Sequence, residues 1–103
     1  MATYYLNLTI HCLKEDSEAI LKHIREELLP VWRNEGSPKT DLELVKVYVP
    51  AEDQAAYALR WSVEDRDPEL CSEIVSNPHI RKLMEAFPER VFPFPVLMEV
   101  LEL

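Results

Sequence analysis

Glycine is almost absent from this sequence, which has one glycine in 103 residues. Glycine-rich loops let a backbone approach phosphate groups closely, as in dinucleotide-binding and P-loop sites. Their absence excludes both site classes. Cysteine is also scarce, because Cys12 and Cys71 are too few for a disulfide framework and neither belongs to a CxxC pair. Reduced thiols in a cytoplasmic protein are therefore expected.

Positively charged residues are also few. The sequence has 11 Lys and Arg against 19 Asp and Glu, which gives a net charge of −8. Nucleic acids and anionic membrane surfaces attract positive fields, so neither is expected as a partner. No stretch approaches the roughly 20 apolar residues of a membrane span. The N-terminal residues also lack the basic and apolar regions of a secretory signal. The length and the 48% apolar content predict one globular domain over 1–103.

The apolar pattern predicts the element order β-α-β-β-α-β. Apolar and polar residues alternate in four predicted strands, over 4–12, 41–49, 56–63 and 96–103. The segment "PERVFPFP" before the last strand is predicted to be an extended connector, since its prolines forbid a helix.

Capping residues predict where the helices begin and end. Asp16 or Ser17 is expected to start the first helix, and Pro30 to kink it or tighten its last turn. The "GSP" at 36–38 is expected to end it. The second helix is predicted to start at Asp67 with Pro68 at its first position, and to restart at the Asn77–Pro78 pair.

This order is the ferredoxin-like α+β pattern: a four-stranded antiparallel sheet with both helices on one face and the first and third strands central. Assigning the more aliphatic side of each strand to the helices leaves the other side open. The residues predicted on that open side are Tyr5, Asn7, Thr9, His11, Leu42, Leu44, Lys46, Tyr48, Ala58, Arg60, Ser62, Leu97, Glu99 and Leu101. The third strand is the least secure, because a shift of one residue inverts a strand.

The predicted open side is more apolar than a solvated sheet, and such a patch is typical of an interface. We therefore expect a homodimer in which two sheets pack face to face as an α/β barrel across a two-fold axis. The residues predicted at this contact are Tyr5, Leu42, Leu44, Tyr48 and Leu97.

Three stretches carry a family resemblance: "ILKHIREELLPVWRNEG", "YALRWSV" and "HIRKLMEAFPERVFPFPVLMEVLEL". They resemble a family of small uncharacterised bacterial proteins, a domain of unknown function. That family is similar to the dimeric α/β-barrel proteins, which include antibiotic-biosynthesis and haem-degrading monooxygenases. The resemblance covers nearly the whole chain in element order, and it implies the fold and a dimer without implying a reaction.

Asn7, His11, Arg60 and Glu99 are the candidate catalytic or binding residues, since they are predicted to converge inside the barrel. Histidine titrates near neutral pH and suits acid–base chemistry, while arginine clamps carboxylates in a bidentate manner. The structural alternative is that Arg60 and Glu99 form an ion pair at the dimer seam and that His11 faces solvent.

The resemblance to haem-degrading proteins implies a second set. Those proteins use an Asn on the first strand, a Trp on the third strand and a His on the second helix, types that match Asn7, Trp61 and His79. The predicted facing places Trp61 under the helices, so it shares a site with Asn7 only if that facing is wrong.

Metal ligands and cofactors are not expected. His11, His23 and His79 have no ligand spacing, and Cys12 is interpreted as a small buried hydrophobe. Two hypotheses remain: a non-enzymatic or ligand-binding dimer whose barrel is mostly filled by side chains, and a small-molecule monooxygenase of the antibiotic-biosynthesis or haem-degrading type. They differ in whether an open cavity lined by Asn7, His11 and Arg60 persists inside the barrel.

Overall fold

The computed structural model describes residues 3–34, 42–64, 67 and 69–103. Four strands form one antiparallel sheet in the order β2-β3-β1-β4. Their bounds are Thr3–Leu13 for β1, Glu43–Val47 for β2, Gln54–Val63 for β3 and Val91–Val100 for β4. The architecture is α+β, with the helices packed on one face of an open sheet, and it is compatible with a ferredoxin-like fold.

The first helical segment is continuous but changes pitch. A 3-10 turn at Lys14–Asp16 leads into α1 (Ser17–His23), a π-helical turn at Ile24–Leu28 and then α2 (Leu29–Asn34). Proline cannot donate to the carbonyl four residues earlier, and its ring crowds that group. For Pro30 the crowded carbonyl is that of Glu26, inside the π turn. The helix therefore adapts by widening into the π turn. Of the two predicted alternatives, a kink or a tightened last turn, the tightened turn is not seen, because α2 is α-helical to Asn34.

The other helices are α3 (Glu69–Ser76) and α4 (Pro78–Ala86). The Asp67 carboxylate accepts a hydrogen bond from the Glu69 N–H at 3.0 Å, and the Asn77 side-chain carbonyl accepts from the His79 N–H at 2.9 Å. Both predicted starts are confirmed by these bonds, which satisfy donors that a helix leaves unpaired. The expected stop at 36–38 and the role of Pro68 lie outside the described residues.

The core lies between the sheet and the helices. Leu8 and Ile10 of β1 and Leu59 of β3 are fully buried there. The helices contribute the fully buried side chains of Ile20, Ile24, Leu28, Ile80 and Leu83. The predicted facing of β1 and β3 is confirmed, including that of the third strand, because Trp61 pairs with Leu6 on the helix side.

The predicted facing of β2 is wrong. Residues directly opposite each other in a ladder share a face. Leu44 pairs with the core residue Leu59, and Leu42 also packs against the core. Val45 and Val47 pair with Ala58 and Ala56 on the open side instead.

Two further predictions on this strand fail with it. Lys46 pairs with Tyr57 on the helix side, and Tyr48 lies beyond the end of β2 with 85% of its surface exposed. Both sides of this strand are aliphatic, so alternation does not distinguish them. The longer leucine side chains fill the space under the helices.

The predicted facing of β4 is also wrong. Leu97 pairs with Leu6 and packs against the core, which places Glu99 on the same side of the sheet. Val96 and Met98 pair with Asn7 and Tyr5 on the open side. Leu101 lies past the end of the strand and is exposed.

The predicted connector is part of β4, which begins at Val91 rather than at residue 96. Pro93 and Pro95 pair with Ile10 and Leu8 of β1. Alternate N–H groups of an edge strand point away from the sheet, so prolines two residues apart replace only outward donors. The strand therefore tolerates both prolines, and Val91 is buried at its start.

Candidate functional site

The open face is the side of the sheet that points away from the described helices. It consists of Thr3, Tyr5, Asn7, Thr9 and His11 of β1, Glu43, Val45 and Val47 of β2, Ala56, Ala58, Arg60 and Ser62 of β3, and Phe92, Phe94, Val96, Met98 and Val100 of β4. Five of its large apolar side chains are exposed: Val45, Phe92, Phe94, Met98 and Val100. The open face is thus more apolar than the version predicted from sequence.

The open face is uneven as well as apolar, because its side chains differ in size and exposure. Along β4 the large side chains of Phe92 and Phe94 are more than half exposed and stand out as a ridge. On β3, which β1 separates from β4, Ala56 and Ala58 are small and nearly inaccessible, with 0% and 4% exposure. The open face is therefore uneven, with protruding side chains along β4 and small ones along β3.

Charge on the open face is balanced. Among its described residues, Glu43 and Arg60 are the acidic and basic side chains, and their Oε2 and Nε atoms lie 3.7 Å apart. Because their charges cancel, the open face contributes nothing to the net charge of −8. The negative charge resides on the rest of the molecule.

Arg60 lies at the centre of a small polar group on the open face. It pairs across the ladder with Asn7, and its guanidinium carbon lies 5.8 Å from the centre of the Tyr5 ring. The Asn7 amide donates a hydrogen bond to the Thr9 hydroxyl at 2.8 Å. A recess of about 230 Å³ adjoins Arg60 and is lined by Tyr5, Glu43, Arg60 and Trp61.

His11 and Glu99 do not join this group. His11 pairs with Ala56 and Phe92 four residues further along β1 than Asn7, about 13 Å away at the rise of a strand. Glu99 pairs with Tyr4 on the helix side. The structure thus brings together Asn7 and Arg60 of the four candidates. The acidic partner of Arg60 within the subunit is Glu43, which sequence analysis did not single out.

The haem-type set is divided by the sheet. Asn7 lies on the open face, whereas Trp61 is buried on the helix side against Trp32. His79 lies in the first turn of α4, where its backbone carbonyl lies 3.3 Å from Nε2 of His23. These three side chains do not line a common cavity within one subunit.

A second cavity of about 120 Å³ lies at the end of β1 and is lined by His11, Cys12, Leu13, Gln54, Glu89, Arg90 and Phe92. The Arg90 guanidinium already has partners inside the subunit. Its Nη2 donates to Glu15 and, at 2.9 Å, to Oδ1 of Asp16. Burial, and secondarily the charge of Asp16, raises the pKa of the Cys12 thiol. A thiol held in its neutral form is a poor nucleophile.

Glu89, which precedes Arg90, has a φ of 60°. Non-glycine residues adopt this left-handed conformation at a cost of about 1–2 kcal/mol. In this turn the conformation places Arg90 next to Glu15 and Asp16, at the start of the first helical segment. Sequence analysis missed this turn because it contains no glycine or asparagine.

Metal-binding clusters and membrane-spanning helices are both absent from residues 3–34, 42–64, 67 and 69–103. No group of three or more His, Cys, Asp or Glu in this part of the chain is arranged to hold a metal ion. Within the same residues, no helix has the length and apolar character needed to cross a membrane. Comparison with known proteins finds no family model that matches the chain and no match among curated proteins.

Proposed function

We propose that this protein is a homodimer that assembles through the open face, as an α/β barrel of two ferredoxin-like subunits that holds a small molecule. The observation that supports the dimer is the combination of apolar side chains and zero net charge on one face of a chain whose total charge is −8. Two copies with this charge repel each other, and a contact surface without net charge adds no further repulsion where the copies meet.

The size of the open face fits the proposal. Its longest strands have ten or eleven residues, which corresponds to about 33 Å, and four strands span about 15–19 Å. The projected area is therefore about 500–600 Å², and side-chain relief adds to it. Stable interfaces bury roughly 800 Å² per partner, so the open face has the size of one standard interface.

The free edges of the sheet favour this face over edge-to-edge assembly. Pro93 and Pro95 remove outward donors from β4, and β2 is short, with the charged residues Glu43 and Lys46. Prolines, charges and short strands are the features that prevent strand addition at sheet edges. Association of two open faces leaves those edges unused.

The monooxygenase alternative requires an interior cavity that gathers Asn7, His11 and Arg60. Within a subunit only Asn7 and Arg60 are neighbours, and His11 lies at the far end of β1. The ridge at Phe92 and Phe94 also fills space between facing sheets. We therefore favour a binding dimer over an enzyme.

The experiment is light scattering coupled to size-exclusion chromatography on a matched pair of variants. Val45 on the open face and Val75 on α3 have the same side chain and the same exposure of 37%. We expect Val45→Asp to convert a dimer to a monomer and Val75→Asp to leave the dimer intact. A wild-type monomer at 100 μM, or a dimer that survives Val45→Asp and dissociates with Val75→Asp, contradicts the proposal.

A further inference from the structure

We infer that the recess beside Arg60 binds a small, planar carboxylate ligand, with the Tyr5 ring as its apolar wall and Glu43 as a displaceable internal competitor. The inference goes beyond the proposed dimer by assigning a site and a ligand class. The described residues that line the recess belong to one subunit. The inference therefore rests on the proposed function only in that the second subunit of the dimer would cover the bound ligand.

Arg60 retains unused hydrogen-bonding capacity. A guanidinium has five N–H donors in a planar fork that matches a carboxylate. The Nε–Oε2 distance of 3.7 Å to Glu43 exceeds the 2.7–2.9 Å of charge-assisted hydrogen bonds. In the described part of the chain this ion pair and the Tyr5 contact are its side-chain partners. A second carboxylate therefore has donors available.

The position of Arg60 exposes those donors to the recess. Its side chain is 45% exposed although Ala58, two residues earlier on the same strand and face, is almost inaccessible. Arg60 is also the one described Lys or Arg side chain on the open face. It is therefore the permanent positive charge that an anion on this face would pair with.

The recess limits the ligand to a small one. Its volume of about 230 Å³ corresponds to roughly seven or eight waters at the ~30 Å³ each occupies in the liquid. Drug-sized ligands occupy pockets of about 300–1,000 Å³, so the recess matches a ligand smaller than these. The Tyr5 ring gives a flat apolar surface at the same site, which favours a planar group attached to the carboxylate.

Glu43 weakens carboxylate binding, so one substitution should raise the affinity and another should lower it. Its carboxylate competes for the same guanidinium and repels an incoming anion, as does the net charge of −8. Removing the negative charge of Glu43 should strengthen binding, whereas removing the positive charge of Arg60 should abolish it. A nonspecific apolar contact responds to neither change.

The dimer adds enclosure. When a second open face covers the recess, water is excluded and the attraction between Arg60 and a carboxylate grows as the local dielectric constant falls. A ligand that binds only the covered recess also stabilises the dimer by linkage. A single subunit should therefore bind the same ligand more weakly.

The test is a titration with sodium benzoate at constant ionic strength, followed by backbone amide chemical shifts, with neutral benzamide as the matched ligand. We expect saturable shifts around Tyr5, Glu43 and Arg60 with benzoate, and at least tenfold weaker binding of benzamide. Arg60→Gln should weaken benzoate binding at least tenfold, Arg60→Lys by less, and Glu43→Gln should strengthen it severalfold. Arg60 and Glu43 are exposed, so these substitutions remove no core contact, and the spectra report any loss of folding directly.

Equal binding of benzoate and benzamide, unchanged benzoate binding in Arg60→Gln, or weaker binding in Glu43→Gln overturns the inference. Light scattering on the same samples separates it from the dimer proposal. A monomer that binds benzoate through Arg60 contradicts the dimer alone, whereas a dimer that binds no benzoate contradicts the carboxylate site alone.

Discussion

Trp32 and Trp61 pack edge to face, with ring centroids 5.2 Å apart and an angle of 68° between their planes. The contact joins the end of the first helical segment to the central strand β3 across the core. Trp61 has therefore a structural role on the helix side of the sheet. Its ring lies on the opposite side from Asn7, with which the haem-type hypothesis combined it.

The tryptophan pair should show measurable coupling in a double-mutant cycle. We expect Trp32→Leu and Trp61→Leu each to lower the free energy of unfolding, and the double variant to lose about 0.5–1.5 kcal/mol less than the sum of the single losses. This difference is the energy of an aromatic pair beyond its buried area. Urea unfolding monitored by circular dichroism measures it. Strict additivity would contradict the coupling.

Removing the Arg90 side chain should destabilise the fold more than its exposed surface suggests. The Asp16 carboxylate is buried, and its Oδ1 accepts from Arg90 at 2.9 Å. Leaving a buried acceptor without its partner costs about 1–3 kcal/mol. Urea unfolding of Arg90→Ala should show this loss, and Asp16→Asn in the same background should recover part of it.

Lys82→Ala is the matched control for that measurement. Lys82 lies 3.4 Å from Glu27, and its side chain is 68% exposed. Exposed ion pairs contribute about 0–1 kcal/mol, so the control should lose less than Arg90→Ala. An equal loss in both variants would show that burial of Asp16 does not matter.

Stability should fall at alkaline pH through Cys12. Burial, and then Asp16, raises the pKa of its thiol in the folded state above the unfolded value of about 8.5. The folded state therefore holds its proton more tightly, and the resulting stabilisation is complete below the unfolded pKa and lost as pH rises through the folded pKa.

Comparison of wild type with Cys12→Ala isolates this effect from other titrating groups. We expect the free energy of unfolding to decrease more for wild type than for Cys12→Ala between pH 7 and pH 10, in degassed buffer with a reductant. Cys71→Ala, at a partly exposed thiol, is the comparison variant. An equal decrease in wild type and Cys12→Ala would be evidence against the expected linkage.

The prolines of β4 should protect its free edge. Replacing Pro93 and Pro95 together by valine restores two outward N–H donors on a strand that already presents Phe92 and Phe94. Such an edge is a template for pairing with other chains. We expect concentration-dependent species larger than a dimer in light scattering. Pro88→Ala, in the turn before β4, should not produce them.

The starts of α3 and α4 were predictable because their determinants are local, whereas Asp16 precedes α1 as predicted but makes no side-chain capping bond. The caps at Asp67 and Asn77 were read from side chains that bond to nearby N–H groups, and both bonds are present. Pro30 was recognised as a perturbation for the same reason. Its outcome is a widened π turn, in which the Glu26 carbonyl that the Pro30 ring crowds is accommodated.

The candidate site was predictable only in part. Asn7 and Arg60 lie together because both belong to central strands, whose apolar sides differ clearly from their polar sides. Glu43 was missed, and Glu99 was placed on the wrong side, because each belongs to an edge strand that is apolar on both sides. Register errors of one residue exchange the two sides of a strand completely.

The sequence by itself determined the alternation of strands and helices, the facing of β1, and a strongly negative chain without phosphate-cradling loops. The facing predicted for β3 became secure only through its pairing with β1. Only the tertiary structure decided which sides of β2 and β4 complete the core, and so which apolar side chains remain outside. An alternating pattern of apolar and polar residues shows which side of a strand is buried. Both sides of β2 and of β4 are apolar, so the pattern does not distinguish them. In the structure β2 pairs with β3, and β4 pairs with β1. Residues that pair directly across two strands lie on the same face of the sheet, so the known facing of each central strand fixes the facing of the edge strand beside it.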